Sequence, residues 1–191
     1  MFDTCLWYNE PLNWSLRDNM LNVSTDKGTD FWRKTHYGFI RDSGHFFGAE
    51  WKGDFTASVR VQARYEALYD QAGIMVRIDE TRWIKSGIEL SDGAACIGSV
   101  VTVDHSDWST SPYDGDPSDF YLRVTVAGGV LRLQFSADGI RWPLLRLCPF
   151  PVARSYQVGP MCCTPEREGL EVKFSEFYIG PPLGKDLHDL T

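Results

Sequence analysis

Apolar and polar residues alternate with a period of two over most of this chain, and that period predicts strands. From Phe55 to Tyr65 the odd positions are Phe55, Ala57, Val59, Val61, Ala63 and Tyr65, against Thr56, Ser58, Arg60, Gln62 and Arg64, so a long strand with one buried face is expected. Phe120, Leu122, Val124 and Val126 alternate with Tyr121, Arg123 and Thr125. Gly128-Gly129 then offers the positive φ of a tight hairpin, and Leu131, Leu133 and Phe135 alternate back. Ser91-Asp92-Gly93 predicts a turn between strands Trp83–Leu90 and Ala94–His105, and Asp138-Gly139 a second hairpin turn leading into Ile140-Arg141-Trp142. Leu21–Thr25, Gly44–Trp51, Gly73–Asp79, Tyr156–Cys163 and Leu170–Ile179 read as further strands. Asp26–Gly44 and Ser106–Asp119 have no period and read as loops. No helical stripe exceeds about two turns, so the fold class is all-β, an antiparallel β-sandwich. One domain is expected over residues 1–180, with 181–191 a short C-terminal tail opened by Pro181-Pro182.

Composition narrows the partners. With 191 residues, 43% hydrophobic and 24% charged, the chain can bury a core without disulfides or metal. A net charge of -7 argues against nucleic acid or an anionic membrane as partner. The aromatic share of 14% suits a β-rich core or a stacking surface. No apolar run approaches the roughly 20 residues of a membrane helix, and Met1–Pro11 carries Asp3 and Glu10 where a signal peptide would be basic and then apolar. Five cysteines make no CxxC pair, and Cys162 and Cys163 point to opposite faces of a strand, so free thiols in the cytoplasm are expected. His36, His45, His105 and His188 lie far from them in sequence, and neither a metal nor a cofactor is expected.

Strand parity isolates one polar face. Ile84, Ile88 and Leu90 share one side of their strand, and Trp83, Lys85, Gly87 and Glu89 the other. Tyr69-Asp70-Gln71 opens the preceding strand and Ser106-Asp107-Trp108 closes the following one, which gathers amide, carboxylate, ammonium and indole groups. A solvated strand face is the plain reading of this pattern. Its functional alternative is a sugar site, where an indole stacks on the C–H face of a ring and polar groups hold the hydroxyls. Thr29–Arg33 sets Phe31 and Trp32 between charges, either as a plug at one end of the sandwich or as part of a site.

NEPLNW (Asn9–Trp14), TDFWR (Thr29–Arg33), YDQAGIMVR (Tyr69–Arg77), WIKSGIE (Trp83–Glu89), VVT (Val100–Thr102) and SDWS (Ser106–Ser109) resemble the motif set of the regulation-of-enolase-like family, a domain of unknown function found in bacteria and fungi. The run Phe135–Trp142 is similar to the strand–turn–Trp hairpin of many concanavalin A-like sandwiches. The resemblance implies a concanavalin A-like jelly roll, the fold of lectins and glucanases, with its ligand on the concave sheet. It places Asp30, Trp32, Arg33, Asp70, Gln71, Trp83, Lys85, Glu89, Thr102, Asp107 and Trp108 at or beside that groove, and Arg123 completes the candidate set. Glucanases of this fold carry carboxylates at spacing two on one strand. Here Glu89 is followed by Leu90-Ser91-Asp92, so a carboxylate partner would have to be Asp70 or Asp107 from a neighbouring element.

The leading expectation is a protein that binds a saccharide or sugar-derived small molecule, stacked on Trp83 or Trp108 and held by Gln71, Lys85, Glu89 and Asp107. An enzyme acting on a saccharide or sugar phosphate, with Glu89 as acid/base, is the alternative. A protein–protein adaptor with an aromatic interface is the third reading.

Overall fold

The computed structural model describes residues 2–191. After a single 3-10 turn at Phe2–Thr4, the strands, numbered in chain order, form two antiparallel sheets of seven strands each. The front sheet runs β1 (Cys5–Tyr8), β6 (His45–Lys52), β15 (Ser155–Cys163), β8 (Gln71–Arg77), β9 (Arg82–Ser91), β10 (Ala94–Val103) and β11 (His105–Pro112). The back sheet runs β14 (Leu144–Pro149), β13 (Val130–Ser136), β12 (Asp119–Ala127), β7 (Phe55–Ala63), β16 (Glu171–Gly180), β3 (Met20–Ser24) and β2 (Asn13–Arg17). A separate hairpin pairs β4 (Phe31–Arg33) with β5 (Ile40–Asp42). Among the described residues no helix is long and apolar enough to cross a membrane.

The period of two becomes the sandwich directly. Phe55, Ala57, Val59 and Val61 of β7 are fully buried beside Leu122 and Val124 of β12, and they meet Ile74, Val76, Ile84 and Ile88 of the front sheet. On the opposite face of β7, Arg60 pairs with Asp119 at 2.7 Å and with Glu176 at 3.1 Å, so the polar positions point away from the core between the sheets as their parity requires. β9 lies between β8 and β10, with Lys85 opposite Met75 and Val100. Cys162 enters the main core while Cys163 joins a second cluster, as neighbours on one strand must.

The two aperiodic stretches are not the plain loops their composition suggests. Ser106–Asp119 contains most of β11, an edge strand whose Ser109, Thr110 and Ser111 are all exposed whichever side they face and so leave no alternation to read. Asp26–Gly44 contains β4 and β5, strands of three residues each, too short to establish a period. Ile140–Trp142 does not continue as a strand. Asp138 accepts the N–H groups of Ile140 and Arg141, and the chain rejoins the sheet only at Leu144. The C-terminal residues lie against the outer face of the back sheet, where Arg132 donates to the carbonyls of Lys185 and Asp186 and Trp142 N–H to that of Leu190.

Candidate functional site

The β4–β5 hairpin builds the site by roofing part of the front sheet's outer face. Phe31 and Trp32 pack there with Phe46, Met75, Trp83, Val100, Met161 and Cys163 in a second apolar cluster, away from the core between the sheets. Arg77 clamps the roof from below: its guanidinium donates to both Asp42 oxygens at 2.8 and 2.9 Å and lies 4.3 Å from the centre of the Tyr8 ring. Arg33 N–H donates to Ser106 Oγ, which also bonds Thr102 Oγ1, so β4 is tied to β10 and β11 as well.

Beside the roof lies a groove of about 320 Å³, at the small end of ligand pockets. Trp32, Trp108, Tyr37 and Phe39 supply its aromatic walls. Trp32 and Trp108 meet edge-on at 6.4 Å, and Tyr37 stacks on Phe39 at 5.2 Å. Next to the groove, and sharing Gln71, Lys85, Glu89, Val100 and Trp108 with it, a small depression exposes Gly87 and Gly98, which with Gly73 sit opposite one another on three adjacent strands. A Cβ at Gly87 would collide with the Ala72 carbonyl, so close strand approach demands these glycines and leaves bare backbone between Lys85 and Glu89.

The polar groups converge from separate elements. Lys85 Nζ donates to Asp30 Oδ1 at 2.8 Å and to Gln71 Oε1 at 2.7 Å. Burial works against the Lys85 charge, but Asp30 chiefly outweighs it and holds the ammonium above its ordinary value. Glu89 differs from both partners. No protein hydrogen bond reaches its carboxyl among the described residues, and burial pushes it from 4.5 up to about 7, with Lys85 pulling down and Asp30 and Asp92 pushing further up. Tyr69 is at positive φ, and its phenol is raised, first by the neighbouring Tyr37 hydroxyl and then by burial.

The chain matches the family model described as "Protein of unknown function (DUF1349)" over residues 7–182. The chain belongs to the DUF1349 family. A DUF1349 relative from Saccharomyces cerevisiae, "Regulation of enolase protein 1", is 58% identical over 185 residues, covering 97% of this chain and 93% of that protein. A solved S. cerevisiae protein of unknown function superposes with a TM-score of 0.95 at 56% identity, over 96% of this chain and 99% of that one. At the level of fold alone, the DUF1349 sandwich is similar to the GH43 protein BlXynB from Bacillus licheniformis, with a TM-score of 0.67, 15% identity and coverage of 89% of this chain and 35% of that one. It is also similar to the carbohydrate-binding module CBM66 from Bacillus subtilis, with a TM-score of 0.56, 11% identity and coverage of 93% and 96%. The jelly-roll expectation therefore holds.

Of the residues singled out from sequence, the groove gathers Asp30, Trp32, Gln71, Lys85, Glu89 and Trp108. Others belong elsewhere. Trp83 shares the correct face but is fully buried beneath Phe31, 6.0 Å away, so it cannot stack a ligand. Asp70 is fully buried: burial opposes its charge, yet Arg167 and the N–H groups of Glu66 and Ala67 outweigh burial and hold its carboxyl below the usual range. Thr102 is enclosed with Ser106, and Arg33 contributes its backbone to the same anchor. Asp107 has the opposite parity from Trp108 and bonds Arg146 of β14 at 2.9 Å, bridging the sheets at their edge. Arg123 is on the back sheet, stacked on Trp142 and bonded to Gln134. Neither Asp70 nor Asp107 can thus serve Glu89 as a second carboxylate; the carboxylates that share its groove are Asp30 and Glu166.

The sequence reading missed Tyr37, Phe39, Arg41, Tyr69 and Glu166. Tyr37 and Phe39 are two apart in an aromatic-rich stretch, a signal open to reading once the stretch is taken as a hairpin. Glu166 has no local signal; it arrives on the turn after β15.

Proposed function

We propose that this protein binds a saccharide or sugar-derived small molecule in the groove between the β4–β5 hairpin and the front sheet. One observation carries the reading: the unpartnered Glu89 carboxyl faces a groove walled by Trp108, Tyr37 and Phe39, with the backbone of Gly87 and Gly98 in the adjoining depression. A sugar ring needs this combination, an aromatic surface for its C–H face, room to approach backbone, and an acceptor for its hydroxyls. The fold likeness to GH43 proteins and to a carbohydrate-binding module supports the same ligand class. The name of the yeast relative supports a regulatory use of such binding. The free thiols support a reducing compartment such as the cytoplasm.

A second reading follows from Glu89 itself. A carboxyl with a value of about 7 is suited to general acid/base work at neutral pH. Asp30, the carboxylate beside it, is occupied by Lys85, which favours binding over retaining hydrolysis. Calorimetric titration with a panel of mono- and oligosaccharides, followed by product analysis of each hit, tests both. Binding that Trp108→Ala and Glu89→Gln weaken is the expected result. Binding indifferent to both variants, or none at all, overturns the proposal.

A further inference from the structure

We infer that the groove excludes anions, so that its ligand is an uncharged polyhydroxyl ring and not a phosphorylated or acidic sugar; this rests on the saccharide reading above. The charges around the groove carry the inference. Lys85 is the deep cation, and its Nζ already bonds Asp30 and Gln71 at 2.8 and 2.7 Å, so it offers an incoming anion no uncompensated charge. Arg41 is the other lining cation, exposed at the rim with its guanidinium 5.1 Å from the centre of the Phe39 ring, where salt screens it. Against these two stand Asp30, Glu89 and Glu166. Glu89 has no cation bonded to it. A phosphate that passes the screened Arg41 at the rim would meet the Glu89 and Glu166 carboxylates, and the one deeper cation, Lys85, is already bonded to Asp30. Hydroxyls meet no such conflict, because the Glu89 carboxylate accepts their protons in hydrogen bonds.

The test pairs each neutral sugar with its charged counterpart. Glucose, galactose and mannose, each with its 6-phosphate and its uronic acid, are titrated calorimetrically against the full chain at pH 8. Separately, the fluorescence of Trp108 is isolated as the difference between wild type and Trp108→Phe, and its quenching by iodide is compared with that by neutral acrylamide. The expected result is that phosphates and uronates bind about tenfold or more weakly than the neutral sugars. The iodide-to-acrylamide quenching ratio should fall below that of free N-acetyltryptophanamide, and Glu89→Gln should raise it. A 6-phosphate or uronate that binds as well as its neutral parent overturns the inference and leaves the saccharide reading standing. If no sugar binds, the saccharide reading fails, and the quenching ratio alone then decides the charge preference: a ratio equal to free indole's, unchanged in Glu89→Gln, overturns anion exclusion.

Discussion

The Lys85 ammonium and the Asp30 carboxylate meet at 2.8 Å across 55 residues of sequence, and this contact joins the floor of the groove to the base of its roof. The Lys85 side chain is 6% exposed and that of Asp30 18%. A solvated pair between Lys85 and Glu89, which share a strand face, would be worth at most about 1 kcal/mol. The pair that forms is buried, and breaking it has a different cost.

Asp30→Asn should destabilise the protein by about 3 kcal/mol, because it strands a buried ammonium. Adding Lys85→Met, which removes the charge and keeps the volume, should recover most of that loss. Urea unfolding of the two single variants and the double variant measures the coupling. Additive losses would mean that the two side chains act independently.

Glu89 makes stability fall with pH. Its carboxyl is raised in the folded state, so its contribution is fully present below pH 4.5 and is lost as pH rises through about 7. The interval corresponds to roughly 3 kcal/mol as an upper bound. Glu89→Gln should therefore match wild type near pH 4.5 and exceed it by about 1–3 kcal/mol at pH 8. Unfolding midpoints of both proteins between pH 4.5 and 8 check this, and parallel curves would refute it.

Two tryptophans on one face should behave oppositely. Trp83→Ala empties a fully buried site beneath Phe31 and should cost about 3–5 kcal/mol. Trp108 is 37% exposed, so Trp108→Ala should cost about 1 kcal/mol or less and act on ligand binding instead. Chemical denaturation of each variant separates the cases.

Asp42→Ala removes the carboxylate that receives both Arg77 bonds. The hairpin should loosen while the sandwich persists. Amide exchange in residues 31–42 should accelerate at least about tenfold relative to β7. Uniform acceleration across the chain would show instead that the clamp stabilises the whole fold.

The sandwich was legible in the sequence wherever a strand carries apolar residues on one face and polar residues on the other. β7, β12 and β13 announced themselves because the contrast between Val59 and Arg60, or Leu122 and Arg123, is local chemistry repeated every second residue. The groove face of β9 was legible for the same reason, including Lys85, Glu89 and the gap at Gly87. Parity also contains the error at Asp107, whose neighbour Trp108 faces the groove while it faces away. What parity could not decide is which polar face is covered. That depended on the β4–β5 hairpin folding back over the front sheet, which turned Trp83 from a platform into core and gave Lys85 the partner Asp30 in place of Glu89. Nothing in the local pattern of residues 26–44 specifies that placement. It is set by apolar burial of Phe31 and Trp32 against residues from distant strands, Met75 and Met161 among them, and by the Arg77–Asp42 clamp. Local alternation therefore determines which side chains share a face; only long-range packing decides which of them meet solvent, and so which are left to meet a ligand.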